Sequence, residues 1–234
     1  MCGRFVSARP ASELADVFAA EPIGEPLPFS YNVAPTAWVY TVAGARPGRR
    51  LGTMQWGLVP SWAASPSAGP RPINARMETL EEKPAFAEAL ARRRVIIPAD
   101  GFFEWRTTAD GKQPYFISAR SRKPLALAGL WDRWTAPDGA DLLTCAIVTT
   151  PANDLVAPLH DRMPALLPVD TWAAWLDPAR TTPGAVLDLL RPAPAGVLEA
   201  RAVSRLVNSV ANDGPDLLAA PSGGGEVLPL ENGV

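Results

Sequence analysis

The chain has 234 residues, of which 47% are hydrophobic and 20% are charged, a balance that is typical of a globular protein and excludes a disordered chain. Its net charge of −2 gives no overall basic excess, so binding to nucleic acid must depend on a local patch. One histidine and two distant cysteines do not supply a zinc site, and no apolar run is long enough to span a membrane. We expect a cytoplasmic monomer without a metal or cofactor.

The chain begins Met1-Cys2-Gly3-Arg4-Phe5. If Met1 is removed, Cys2 carries a free amine and a thiol on adjacent carbons. The amine, with an unperturbed pKa of about 7.7–8.0, condenses with an aldehyde to an imine, and the thiol then closes a five-membered thiazolidine. These residues alone also fit an ordinary protein with cysteine at its second position, so the rest of the chain must decide.

The first half of the chain predicts two amphipathic helices and two strands, separated by loops. Leu14, Val17 and Phe18 recur at helical spacing, and aromatic and β-branched residues after position 37 favour strands. The predicted elements are a helix at Pro10–Ala20, a loop at 21–28, a strand at Trp38–Val42, a turn at Arg46–Arg49, a strand through Met54 and Trp56, and a helix at Lys83–Ala91.

The second half predicts further strands, two short helices and a glycine-rich end. The predicted elements are a buried strand at Val95–Ile97, a turn at Pro98–Gly101, strands around 115–117, 125–131, 142–149 and 197–203, and helices at 171–176 and 183–190. Pro221-Ser222-Gly223-Gly224-Gly225 has the composition of a linker, so we expect one domain over residues 1–220 and a flexible tail at 221–234.

Several polar or aromatic side chains stand out because two interpretations fit each of them. Trp56 and Trp62 are either buried core residues or aromatic surfaces on which a nucleobase stacks. Trp62 is closer to a loop and is more suited to exposure. Glu104 interrupts the aromatic run at 102–105 and is either a buried acid with a raised pKa or the outward half of a strand. The lone His160, in a polar cluster between prolines, fits a site at least as well as a structural position.

Two further segments carry polar or thiol side chains whose environment the sequence indicates. Asn74, Arg76 and Glu78 alternate and would share one face of an extended segment, where three polar groups need partners. Cys145 lies among apolar residues of a predicted strand and is expected to be an inert core thiol.

Seven separated stretches together resemble the SRAP family, the SOS-response-associated peptidases. They are Met1–Phe5, Tyr31–Pro35, Trp56–Trp62, Ile73–Glu78, Asp100–Trp105, His160–Pro164 and Val203–Asn208, and they keep the family's order from residue 1 to about residue 218. The resemblance implies an α+β fold: a single domain with an antiparallel, barrel-like β core and flanking helices.

The resemblance also implies a function in the DNA damage response. Family members lose the initiator methionine and capture abasic sites in single-stranded DNA through the exposed cysteine, as a thiazolidine DNA-protein crosslink. By resemblance Cys2 supplies amine and thiol, and Asn74 positions Cys2. Glu104 moves protons, and His160 assists opening of the sugar ring or protonates the sugar hydroxyl. By resemblance Arg4, Arg76 and Arg162 contact phosphates and would form a local basic groove, and Asn32, Trp62 and Thr149 are additional DNA contacts. The protein would associate with the nucleoid when bound to DNA.

Two alternative functions remain open from the residues. One is a thiol peptidase or amidohydrolase in which Cys2 is the nucleophile and Glu104 or His160 the base. The other is a non-covalent single-stranded DNA-binding module in which Trp62 and the arginines suffice. The sequence also leaves open whether Met1 is removed autocatalytically, with Cys2 and Glu104, or by a host aminopeptidase.

Overall fold

The computed structural model describes residues 2–45, 47–221 and 224–229. Three sequence-based predictions fall wholly or partly outside these ranges: the removal of Met1, the part of the first turn at Arg46, and positions 222, 223 and 230–234 of the tail. Across the ranges that are described, no helix is both long and apolar enough to cross a membrane.

Strands dominate the fold, and short helices lie between them. The strands are β1 (Phe5–Ser7), β2 (Glu21–Pro22), β3 (Ser30–Val33), β4 (Trp38–Ala45), β5 (Gly48–Trp56), β6 (Asn74–Arg76), β7 (Arg94–Ala99), β8 (Gly101–Thr108), β9 (Gly111–Ala119), β10 (Leu125–Thr135), β11 (Asp141–Pro151), β12 (Arg162–Pro164) and β13 (Leu198–Ala202). The α-helices are α1 (Ala11–Phe18), α2 (Pro84–Arg92), α3 (Trp172–Leu176) and α4 (Pro183–Leu187).

Five strands form a closed barrel, as predicted. Antiparallel pairs join β5 to β4, β4 to β7, β7 to β10 and β10 to β11, and the ring closes where β11 pairs with β5. This last pair is parallel, with Thr144 opposite Gln55 and Cys145 opposite Trp56. The barrel is therefore antiparallel except at its closure, where the long connection between β5 and β11 makes a parallel pair accessible.

The apolar side chains of the barrel strands alternate between two clusters. Val42, Ile96 and Val148 pack in the cluster that contains the buried faces of α1, α2 and α3. Ile97 and Ile147 pack in the cluster that contains the second sheet, whose strand order is β13-β9-β8-β1-β3. Because successive side chains of a strand point to opposite faces, each barrel strand contributes to both clusters, and the barrel packs against the helices and against the second sheet within a single domain.

The chain passes from the barrel to the second sheet through one residue, Asp100. The sequence predicts a turn over Pro98–Gly101, but β7 continues to Ala99 and β8 begins at Gly101. Asp100 replaces the longer turn because its Oδ2 accepts the Ala8 N–H at 2.7 Å and its own N–H donates to the Val6 carbonyl at 2.8 Å. This junction fixes β8 beside β1, where the site lies.

Two residues of the segment predicted as a flexible tail, Glu226 and Leu228, form hydrogen bonds with the domain. Ala202 donates its N–H to the Glu226 carbonyl at 2.8 Å, and Leu228 donates to the Ala200 carbonyl at 2.9 Å. Tyr115 also donates its hydroxyl hydrogen to the Glu226 carboxylate at 2.8 Å. Two backbone bonds and a buried Leu228 extend the edge of the second sheet, which composition alone does not reveal. The segment Glu21–Pro22, predicted as loop, likewise pairs with β5 as β2.

We expect Gly101→Ala to destabilise the junction between the two sheets. A Cβ at this position would lie 2.5 Å from the Ile117 carbonyl oxygen and 2.5 Å from the Phe116 ring, so β8 must shift. Overpacking of this kind costs about 1–3 kcal/mol. Urea unfolding should show this loss for Gly101→Ala, whereas the control Gly184→Ala, in open space on α4, should be neutral or slightly stabilising. Equal stability of the two variants would contradict the predicted clash at residue 101.

Candidate active site

Cys2 is fully buried at the margin between the barrel and the second sheet. It precedes β1, whose Phe5 lies opposite Phe102 of β8, and the Phe103 N–H donates to the Arg4 carbonyl at 3.0 Å. The Phe5 ring also meets Trp56 edge to face, with centroids 5.2 Å apart. The amino-terminal residues are therefore held along β8, in the direction of Glu104.

The Cys2 thiol is in its neutral form near pH 7. Burial raises its pKa strongly, and the charge of Glu104 raises it further. The Sγ atom lies 4.0 Å from the Arg4 carbonyl oxygen, a contact too weak to create a thiolate. A reaction at this residue thus needs a separate group to accept the thiol proton.

Asn74 connects the barrel to Cys2. It begins β6, which pairs in parallel with β11 so that Asn74 lies opposite Ile147. Its Nδ2 donates to the Cys2 carbonyl at 2.9 Å, which fixes the orientation of the amide because a carbonyl oxygen only accepts. Its Oδ1 is buried and has no hydrogen-bond partner within residues 2–45, 47–221 and 224–229. This oxygen is placed to accept an N–H close to Cys2.

Glu104 is buried on β8, opposite Tyr115 of β9, and is 3% exposed. The interpretation of Glu104 as the outward half of a strand is therefore wrong, and the buried interpretation is confirmed. Burial raises its pKa to about 7. Both protonation states are populated at neutral pH, which is the condition for a group that takes and returns a proton.

His160 follows the loop after β11 and precedes β12. Its Nδ1 accepts the backbone N–H of Arg162 at 2.9 Å, while Oδ1 of Asp161 lies 2.7 Å from the same nitrogen. The side chain is 32% exposed, and burial lowers its pKa. A mainly neutral, partly accessible imidazole results.

Arg4 and Asn32 form one hydrogen-bonded unit. The Arg4 Nη1 donates to Asn32 Oδ1 at 2.7 Å and to the Val207 carbonyl at 3.0 Å. Asn32 is 5% exposed, and its Nδ2 donates to the carbonyls of Ser209 at 2.9 Å and Asn212 at 2.8 Å. Asn32 therefore positions Arg4 and the segment at 205–212 from below the surface.

Arg162 and Thr149 form a second unit, beside Asn74 and Arg76. Arg162 makes a bidentate pair with Glu78, at 2.7 and 3.0 Å, and donates to the Thr149 carbonyl at 2.7 Å. Arg162 is 8% exposed and Thr149 is fully buried, whereas Arg76 is exposed. The three side chains of the predicted polar face at 74–78 thus differ in their surroundings: Asn74 contacts Cys2, Arg76 is exposed, and Glu78 is paired with Arg162.

The two tryptophans of the 56–62 stretch separate as expected. Trp56 is fully buried and donates its Nε1 hydrogen to the Ile73 carbonyl at 2.9 Å, whereas Trp62 is 60% exposed. Trp62 lines a largely apolar cavity of about 560 Å³ formed by the loop at 59–72 and the start of α2. Cys145 is a buried free thiol, as predicted.

Sequence reasoning missed three residues beside the site. Lys112, Asn208 and the half-buried Trp105 line a cavity of about 360 Å³ together with Gly3 and Arg4. Trp105 donates its Nε1 hydrogen to Asn208 Oδ1 at 2.7 Å, and Asn208 donates to the Lys112 carbonyl at 3.2 Å. The Asp110-Gly111 turn signalled the hairpin that carries Lys112, but nothing in the spacing placed that hairpin beside Arg4. Within the described parts of the chain, no three histidine, cysteine or acidic side chains form a metal site.

The barrel and the site define a class of protein: a mixed α+β domain whose buried polar groups surround a cysteine at position 2. The chain belongs to the SRAP family, because the family model described as SOS response associated peptidase (SRAP) matches residues 1–210. It is 42% identical over 222 residues to the abasic site processing protein YoqW of Bacillus subtilis, covering 93% of this chain and 99% of that protein. It is 34% identical over 210 residues to the abasic site processing protein HMCES of Gallus gallus, covering 80% of this chain and 59% of that protein.

A solved structure agrees with the fold. A protein from Bacteroides thetaiotaomicron superposes with a TM-score of 0.83 at 26% identity, covering 93% of this chain and 98% of that one. The sequence-based prediction of the family and of its barrel-like fold is therefore confirmed.

The raised pKa of Glu104 predicts a pH-dependent cost to stability. The folded protein holds this proton more tightly than the unfolded chain does, so the contribution of Glu104 to stability is largest at low pH and is lost as pH rises from about 4.5 to about 7. Relative to Glu104→Gln, the wild-type free energy of unfolding should fall by about 3 kcal/mol at most across that window. Urea unfolding at several pH values measures it, and parallel curves for the two proteins would contradict the prediction.

Proposed function

We propose that this protein captures abasic sites in single-stranded DNA by forming a thiazolidine crosslink through Cys2, once Met1 has been removed. The relatives at 42% and 34% identity are abasic site processing proteins, which supports this substrate. The observation that carries the proposal is the 2.9 Å hydrogen bond from Asn74 to the Cys2 carbonyl, which holds Cys2 beside a carboxyl group with a pKa of about 7.

The reaction begins at the amine. The Cys2 nitrogen attacks C1′ of the ring-opened sugar, and the carbinolamine oxygen leaves as water to give an imine. Glu104 accepts a proton from the attacking nitrogen and returns one to the departing oxygen, which requires a pKa near the working pH. In this proposal Asn74 Oδ1, which is buried and has no hydrogen-bond partner among the described residues, accepts a hydrogen bond from the Cys2 amine once Met1 is removed and orients the lone pair of that amine.

The thiol closes the ring in the second step. Sγ bonds to the imine carbon, and the thiol proton passes through Glu104 to the imine nitrogen, so the overall reaction releases one water. Amine, thiol and aldehyde are then held together, and such intramolecular reactions reach effective molarities of roughly 10⁵–10⁸ M. The strongly raised pKa of the thiol fits this order of events, because the amine starts the reaction and a thiolate is not needed first.

DNA is held by a surface around the site. In this proposal Arg4 and Arg76 contact phosphates, and Trp62 stacks on a base, worth roughly 1–3 kcal/mol. Asn32 and Thr149 are buried and act on DNA through the arginines that they hold, Arg4 and Arg162. His160 assists the opening of the sugar ring, which exposes the aldehyde.

Met1 is removed either by Cys2 and Glu104 acting on the preceding peptide bond or by an aminopeptidase. A general thiol peptidase is less well supported as the principal activity, because such enzymes work through a thiolate, whereas burial keeps the Cys2 thiol protonated. A purely non-covalent DNA-binding module does not use the buried Cys2, Asn74 and Glu104 together.

Intact mass spectrometry tests the crosslink directly. Protein without Met1, incubated with a single-stranded oligonucleotide that carries one abasic site, should gain the mass of the DNA minus one water. Cys2→Ala should abolish the adduct, whereas Cys145→Ala, which changes the other buried thiol, should retain it. An adduct that persists in Cys2→Ala would overturn the proposal.

Substitution of Glu104 should slow the covalent step more than DNA binding. Glu104→Gln keeps the size but cannot move a proton, so the single-turnover crosslinking rate should fall by about 100-fold or more. The pH profile of the wild-type crosslinking rate should also change slope near pH 7, and this change of slope should be absent from the profile of the variant. Glu88→Gln, an exposed carboxylate on α2, is the matched control and should behave as wild type. A rate unchanged in Glu104→Gln would remove this residue from the mechanism.

A further inference from the structure

Two groups compete for one nitrogen of His160. The Arg162 backbone N–H points to Nδ1 from 2.9 Å, and Oδ1 of Asp161 lies 2.7 Å from the same atom. A backbone N–H only donates and a carboxylate only accepts, so Nδ1 cannot satisfy both at once. The ring therefore has two arrangements, and the balance between them decides what the other nitrogen does.

The two neutral arrangements differ in their chemistry. When Nδ1 accepts the Arg162 N–H, the ring proton sits on Nε2, and His160 has no free lone pair for a substrate. When Nδ1 carries the proton and donates it to Asp161, the Arg162 N–H loses this acceptor, and Nε2 has a lone pair and is a base. A neighbouring carboxylate is the usual group that fixes a catalytic imidazole in this second arrangement.

We infer that Asp161 is a positioning residue that holds the His160 proton on Nδ1 and so makes Nε2 the base that opens the abasic sugar ring. This inference rests on the proposed function and deepens it, because opening of the ring exposes the aldehyde that Cys2 captures. Asp161 itself is 81% exposed and is not required to touch the DNA.

The proton movements balance within the sugar and His160. Nε2 takes the hydrogen of the C1′ hydroxyl, the C1′–O4′ bond breaks, and the C1′=O double bond forms. The resulting imidazolium then gives the proton to O4′, which becomes a hydroxyl. While both ring nitrogens carry hydrogen, Asp161 accepts from Nδ1 and balances the positive charge.

The surrounding charges place Asp161 between the two acid-base groups of the site. Its carboxylate favours the protonated form of His160, against burial and the Arg162 guanidinium, which both favour the neutral form. The same carboxylate favours the protonated form of Glu104. Arg162 is itself paired with Glu78, so its guanidinium is not available to neutralise Asp161. The field of one exposed carboxylate thus reaches both groups.

The tautomer of His160 can be measured without resonance assignment, because the chain has one histidine. Protein without Met1 and labelled with ¹⁵N-histidine gives Nδ1 and Nε2 shifts that report the tautomer ratio and the pKa. Asp161→Ala should lower the Nδ1–H fraction of the neutral ring and lower the pKa of His160. Asp154→Ala removes an exposed carboxylate from the same loop and should leave both unchanged.

Crosslinking rates complete the test. Asp161→Ala should slow crosslinking to an oligonucleotide with a closed-ring abasic site by about two- to fivefold, the range expected for an exposed ion pair. An oligonucleotide ending in a simple aldehyde needs no ring opening, so Asp161→Ala should slow its reaction less than it slows the reaction of the closed-ring substrate, and any remaining difference reports the field of Asp161 at Glu104.

The outcomes separate the inference from the function on which it rests. Identical tautomer ratios in wild type and Asp161→Ala would overturn the inference, and so would an altered ratio with an unchanged rate on the closed-ring substrate. Failure of the wild type to crosslink either oligonucleotide would overturn the proposed function, while the tautomer measurement would still decide whether Asp161 controls His160.

Discussion

The hydrogen bond from Asn74 to the Cys2 carbonyl is the contact on which the site depends. Asn74 is fixed to the barrel through the pairing of β6 with β11, and Cys2 leads into β1 of the second sheet. One amide therefore links the two halves of the domain at the reacting residue. Without it, the hydrogen bonds nearest to Cys2 would be those of Arg4, two residues away, and the orientation of the Cys2 amine would be lost.

Under the proposed function, burial determines which atom of Cys2 reacts first. The cluster that contains Phe5, Trp56 and Phe102 excludes water from both Cys2 and Glu104, and it raises the pKa of each. For Glu104 the result is a pKa of about 7, which is useful to a proton carrier; for the thiol it is a protonated and weakly nucleophilic sulfur. The same environment thus favours chemistry led by the amine, and it accounts for a site with a cysteine but no thiolate.

The sequence predicted the individual strands and helices better than the contacts between elements that are far apart in the chain. Alternation and aromatic content were enough for the barrel strands, and the motifs were enough for the family, since both are local properties. The parallel closure at Cys145 and Trp56 and the docking of Glu226 depend on partners far along the chain, which periodicity does not encode. Glu104 was left between two interpretations for a related reason: its burial follows from the barrel and β9 packing around it. The predicted roles of the site residues remain proposals.

Under the proposed function the hold on DNA is mainly covalent, and the charges around the site agree with this. Arg162 is paired with the Glu78 carboxylate, so the predicted groove of three arginines has less free positive charge than its composition implies, whereas Arg4 keeps its charge because its partner Asn32 is a neutral amide. Each unpaired cation adds to affinity by releasing counterions, and a net charge of −2 opposes such binding at long range. Under the proposed function, weak electrostatic attraction lets the protein leave undamaged DNA, because retention then depends on an aldehyde that reacts with Cys2.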